Sequence, residues 1–139
     1  MAEIKYQKQA FNCHTDKDHP DCFRTTVANL LGLERDSVPN FFQDSNGDRD
    51  IPCKRINEFI RKYGLGFIPI SKTYLDDCYG LKDLYHIVFT HGNSKTIHKM
   101  GHCVMAKDGE QIHDPSPFNV NNNCDLIGVF IVLHPWEKL

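Results

Sequence analysis

Residues 51–71 read IPCKRINEFIRKYGLGFIPIS, and the hydrophobic period changes inside them. Ile56, Phe59, Ile60 and Tyr63 recur at i, i+3, i+4 and i+7, which is one face of a helix. Pro52 stands where a first helical turn tolerates proline, and Gly64 where a helix stops. From Leu65 the chain turns to strand chemistry, LGFIPIS, and Pro69 predicts that this strand lies at a sheet edge, because proline cannot donate to a ladder. Helical patterning lies on one side of this junction and β-rich runs on the other.

Upstream, Phe23, Val27, Leu30 and Leu31 fall at i, i+4, i+7 and i+8 and predict a second helical stripe, with Asp21 as its N-cap, Cys22 in its first turn and Gly32 at its end. The opening IKYQKQAF predicts a short strand or extended arm, NCHTDKDHPD (12–21) a loop, and RDSVPNFFQDSNGDRD (35–50) a second loop with aromatic anchors at Phe41 and Phe42. Downstream, LYHIVFTH, GHCVMAK, GEQIHD and IGVFIVLH are β-rich runs, and Asp108-Gly109 between two of them is a hairpin signal. Helices first and antiparallel strands after is an α+β pattern. The expectation is a single domain over residues 1–139, N-terminal helices packed on a C-terminal antiparallel sheet.

Composition bounds the function. Hydrophobic residues are 40% and charged residues 24% of the 139, an ordinary globular balance rather than a disordered or collagenous one. No run approaches the roughly 18 apolar residues of a membrane helix, and the start, MAEIKYQKQ, holds no signal-peptide apolar stretch, so the expected location is cytoplasmic, without a membrane partner. A net charge of -2 argues against an extensive nucleic-acid surface. Six cysteines, at 13, 22, 53, 78, 103 and 124, contain no CxxC pair, and in a reducing compartment they are expected as thiols. Cys53, Cys78, Cys103 and Cys124 read as small apolar residues or bystanders.

Cys22 is different, because a helix N-terminus stabilises a thiolate. Nucleophilic catalysis then needs a histidine in reach of the sulfur and a third group to hold that histidine. The stretch GHCVMAKDGEQIHDPSP supplies both: in a hairpin centred on Asp108, His102 and Asp114 each lie six positions from the centre and stand opposite one another. A register one residue away would bring His113 or Cys103 opposite instead. His86, His91, His98 and His113 read as strand or loop residues.

DCFRTTVANLLGL followed by GHCVMAKDGEQIHDPS resembles the papain-like cysteine peptidases, nearest to the small double-glycine leader peptidases and related short proteins of bacteria and their phages. The resemblance implies a papain-like fold and a thiol-dependent hydrolase or acyltransferase acting on a peptide or amide bond, phage-associated by likeness, with no cofactor and with a peptide or amide-bearing substrate, itself a protein. It implies Cys22 as nucleophile, His102 as general base and Asp114 as the group orienting His102. It also implies a glutamine oxyanion donor upstream of the nucleophile, for which Gln7 is the candidate and Gln9 the reserve.

This chain departs from the family pattern at two points. Gln7 stands fifteen residues before Cys22 and six before Cys13, where family members commonly use a spacing of about six; Cys13 lacks a helix to present its thiol. Phe23 occupies a position that is commonly small, which leaves acyl-transfer chemistry other than peptide cleavage open. Two readings from other classes stand beside the enzyme. Cys13, His14, His19 and Cys22 carry the donor types of a structural zinc site, which would make the protein a zinc-binding module. Alternatively, Phe41-Phe42 and Leu133-His134-Pro135-Trp136 are aromatic anchors suited to a catalytically inactive binding scaffold.

Overall fold

A computed structural model describes residues 6–8, 21–44, 50–76, 80–90, 102–113 and 126–133. Within them the chain forms helices α1 (Cys22–Leu31), α2 (Asp50–Ile60) and α3 (Lys72–Asp76) and strands β1 (Leu65–Ser71), β2 (Tyr85–Thr90), β3 (His102–Lys107), β4 (Glu110–His113) and β5 (Leu126–Val132). The five strands make one antiparallel sheet in the order β1-β5-β2-β3-β4, so the last strand returns between the first two. The class is α+β, and α1 packs on β3 while α2 packs on β1.

The local signals act where the sequence places them. Gly32 adopts a left-handed φ of 68°, which lets the Leu33 N–H reach back to the Ala28 carbonyl at 2.9 Å and closes α1. A 3₁₀ turn, Arg61–Tyr63, continues α2 to Gly64, whose φ of 72° ends it. The Gly64 carbonyl then accepts the Leu133 N–H at 3.0 Å, so the sheet begins as the helix stops. Asp21 does occupy the N-cap position of α1, but through its carbonyl, which accepts the Thr25 N–H at 3.0 Å; its carboxylate makes no capping bond. The five-residue α3 lies in a stretch where the sequence predicts no helix.

Pro69 stands on an edge strand, as expected, and α2 closes the same edge from outside. The Asn57 side chain accepts the Phe67 N–H at 2.9 Å and donates to the Phe67 carbonyl at 3.2 Å. Both main-chain groups of Phe67 therefore point away from β5, and with a period of two the nitrogen of Pro69 shares their direction.

The sheet is apolar on both faces. One carries Phe67, Ile87 and Cys103 against Cys22, Phe23, Val27 and Ala28 of α1 and Ile56 and Ile60 of α2. The other carries Val88, Val104, Ala106, Ile127 and Val129 with Leu81. Phe23 stands at the centre of the first cluster, its ring 5.7 Å from Phe41, 5.4 Å from Phe42, 5.6 Å from Phe67 and 5.7 Å from Phe89, centroid to centroid. Phe41 is fully buried, so the Phe41-Phe42 pair closes the core rather than offering an exposed anchor.

Gly128 lies beneath these rings. A Cβ on it would collide with the edge of Phe67 and sit 3.0 Å from Phe89 Cε2. Gly128→Ala is therefore expected to cost about 1–3 kcal/mol through overpacking, read from urea unfolding; an unchanged midpoint would show that the two rings move aside freely.

Candidate active site

α1 is buried on more than its apolar stripe. Thr25, Thr26 and Asn29 are as inaccessible as Val27, and each has a polar partner. Thr25 Oγ1 donates to the Asp21 carbonyl and Thr26 Oγ1 to the Cys22 carbonyl, both at 2.8 Å. Cys22, at the first position of the helix, is 6% exposed and belongs to no disulfide.

Two contacts fix where this first turn lies over the sheet. Phe23 stacks on Phe89, and Cys103 Sγ approaches Thr26 Oγ1 at 4.0 Å. Phe89 and Cys103 are direct partners in the β2–β3 register, so the first turn of α1 spans that rung. The next rung is Thr90 with His102. The start of α1, which holds Cys22, and the start of β3, whose backbone holds His102, therefore lie in one neighbourhood. The β3 side chain placed against α1 is that of Cys103, immediately after His102. Neither Thr26 nor Cys103 was expected to matter; the spacing of Thr26, one turn after Cys22, was the available signal.

The β3–β4 hairpin forms on Asp108 and Gly109, both at positive φ (56° and 85°), as a two-residue primed turn requires. Its register is not the expected one. Lys107 pairs with Glu110 and Ala106 with Gln111, and then a bulge puts Met105 opposite His113. A hairpin with His102 opposite Asp114 would need no bulge and a longer loop. Asp114 itself lies outside the described residues, as do Gln9, Cys13, His14 and His19. Among the described residues no group of three His, Cys, Asp or Glu side chains stands close enough to hold a metal ion.

Gln7 is corrected. Its amide donates to the Leu33 carbonyl at 2.7 Å and accepts the Arg35 N–H at 2.6 Å, so it is committed at the C-terminal end of α1. Cys22 opens the ten-residue α1 and Gln7 is held at its other end, a rise of about 14 Å away, so Gln7 is not its oxyanion donor. The main chain of Gln7 is clasped as tightly: Asn29 accepts its N–H at 2.8 Å and donates to its carbonyl at 3.2 Å, and His113 Nε2 lies 2.9 Å from the same carbonyl. Tyr6 stacks on His113 with ring centroids 5.0 Å apart.

Cys53, on α2, is half-buried, and burial, with a smaller contribution from Asp50, pushes its thiol above the ordinary cysteine range. It stays protonated through neutral pH and serves as an unreactive reference for Cys22. No helix among the described residues is long and apolar enough to cross a membrane. Comparison of the chain with protein-family models, with curated proteins and with solved structures gave no match.

Proposed function

We propose that the protein is a thiol-dependent hydrolase or acyltransferase of papain-like arrangement, acting on a peptide or amide bond with Cys22 as nucleophile, His102 as general base and Asp114 as the group that orients His102. The observation that supports this reading is the seating of the first turn of α1 over the β2–β3 rung adjacent to His102. A thiol at a helix start next to a strand that opens with histidine is the layout thiol catalysis needs. The Cys22 thiolate would attack the carbonyl carbon and His102 would return a proton to the departing amine, leaving a thioester. Water resolves the thioester in a hydrolase, and a second amine resolves it in an acyltransferase. The oxyanion would be met by the Cys22 N–H, with no part for Gln7.

The second reading is a catalytically inactive scaffold, favoured by the burial of Cys22 and by the presentation of Cys103 to α1. Iodoacetamide labelling at pH 6 and pH 8, with mass spectrometry to locate the adduct, separates the two. An activated thiol, with a pKa of about 3.5–7.5, labels at pH 6, whereas an ordinary one near 8.5 is almost inert there. Cys22 is expected to label at pH 6 while Cys53 does not. Labelling of Cys22 only at pH 8 would select the scaffold.

A further inference from the structure

We propose that His113 is a positioning residue for this site, locking the hairpin that carries His102 to the helix that carries Cys22; the proposal rests on the reading of those two residues given above. The lock is one carbonyl. The Gln7 oxygen receives Asn29 Nδ2 from α1 at 3.2 Å and His113 Nε2 from β4 at 2.9 Å. A carbonyl only accepts, so His113 Nε2 carries a proton, and the ring needs no positive charge to make the bond. Helix and hairpin are thereby joined through three residues that neither element contributes alone.

The position of this lock gives it leverage. α1 already touches β3 near Cys22, through Thr26 and Cys103. The Gln7 carbonyl supplies a second tie near the other end of the helix, and β4 pairs with β3 through Met105–His113, the last described rung of the hairpin. One tie lets a helix pivot on its strand; two fix its angle. Gln7 is itself immobilised by Leu33, Arg35 and Asn29, so the tie has a rigid middle. Thiol–imidazole proton exchange tolerates little misplacement, and an error of about 1 Å costs on the order of 10²-fold in rate.

The experiment measures the pH profile of Cys22 alkylation by iodoacetamide in the wild-type chain, His113→Ala and His113→Gln, with thermal midpoints for all three. Glutamine keeps an N–H donor for the Gln7 carbonyl but does not stack on Tyr6. In His113→Ala the rate at pH 6 is expected to fall by about tenfold or more with the rate at pH 9 unchanged, and His113→Gln is expected to restore it. A purely stabilising role would lower the midpoint and leave the profile in place. A His113→Ala profile superimposed on the wild type, or no recovery in His113→Gln, would overturn the proposal while leaving the activated thiol standing. A wild-type profile with no reactivity below pH 7 would overturn the underlying reading, and the positioning role with it.

Discussion

Phe23→Ala is expected to remove about 3–5 kcal/mol from the stability of the folded chain, the upper range for a truncated core aromatic. Phe23 is 3% exposed and its ring meets four others, from the loop after α1 and from strands β1 and β2. Alanine leaves a cavity bounded by Phe41, Phe67 and Phe89, rings held from different elements that cannot all collapse into it. Edge-to-face pairs add about 0.5–1.5 kcal/mol each beyond the area they bury, so removing the central ring forfeits more than its own transfer energy. Against a typical total of about 5–15 kcal/mol, the loss is a large fraction. Urea unfolding followed by far-UV circular dichroism checks it. A cost below about 1 kcal/mol would mean that α1 is not anchored by this ring, and the seating of Cys22 beside the His102 rung would lose its cause.

Cys22→Ala is expected to reduce thiol-dependent turnover to background while leaving the fold cooperative. Only the sulfur is removed, from a residue whose backbone bonds persist: Thr26 still donates to its carbonyl, and Phe23 still holds the turn. His102→Ala is expected to cost about 10²–10⁴-fold, the range for a positioned general base. Asp114→Ala should lower turnover without removing Cys22 alkylation. A panel of fluorogenic peptide, isopeptide and glutamine-amide substrates provides the readout. Retained turnover in Cys22→Ala would discard the nucleophile assignment, and an unaltered rate in His102→Ala would transfer the base role to another residue.

The parts of this fold that sequence disclosed are those with local causes. Gly32 and Gly64 stop helices because left-handed backbone favours glycine, and Asp108-Gly109 makes a hairpin because both positions need positive φ. Pro69 announces an edge because its missing N–H is a property of the residue itself. What stayed hidden depends on partners far along the chain. The amide of Gln7 was legible only as a polar side chain, and its bonds run to residues 22 to 28 positions away. The hairpin register departs from the expected one twice: the turn is two residues, Asp108-Gly109, rather than a loop centred on Asp108, and the bulge between Met105 and Ala106 shifts the pairing once more, because an extra strand residue leaves no mark in an alternating pattern this short. Thr25, Thr26 and Asn29 lie off the apolar stripe of α1; their burial goes with hydrogen bonds that the stripe does not encode. For the site, sequence brought Cys22 and the start of β3 to one neighbourhood, and it passed over Thr26, Cys103, Asn29 and His113, the residues that hold α1 to the hairpin.

The pairing of Asn57 with Phe67 has a meaning beyond holding α2 to β1. An end strand with open donors and acceptors is a template on which another molecule's strand can add, and repetition of that addition is how sheets grow into aggregates. Here a side-chain amide imitates the missing neighbour at Phe67, and at Pro69 the donor is absent by chemistry. An incoming strand therefore meets a filled rung and then a blank one. A sheet that is apolar on both faces gains from such a blocked end, which discourages strand addition at the β1 edge when the protein is crowded by copies of itself.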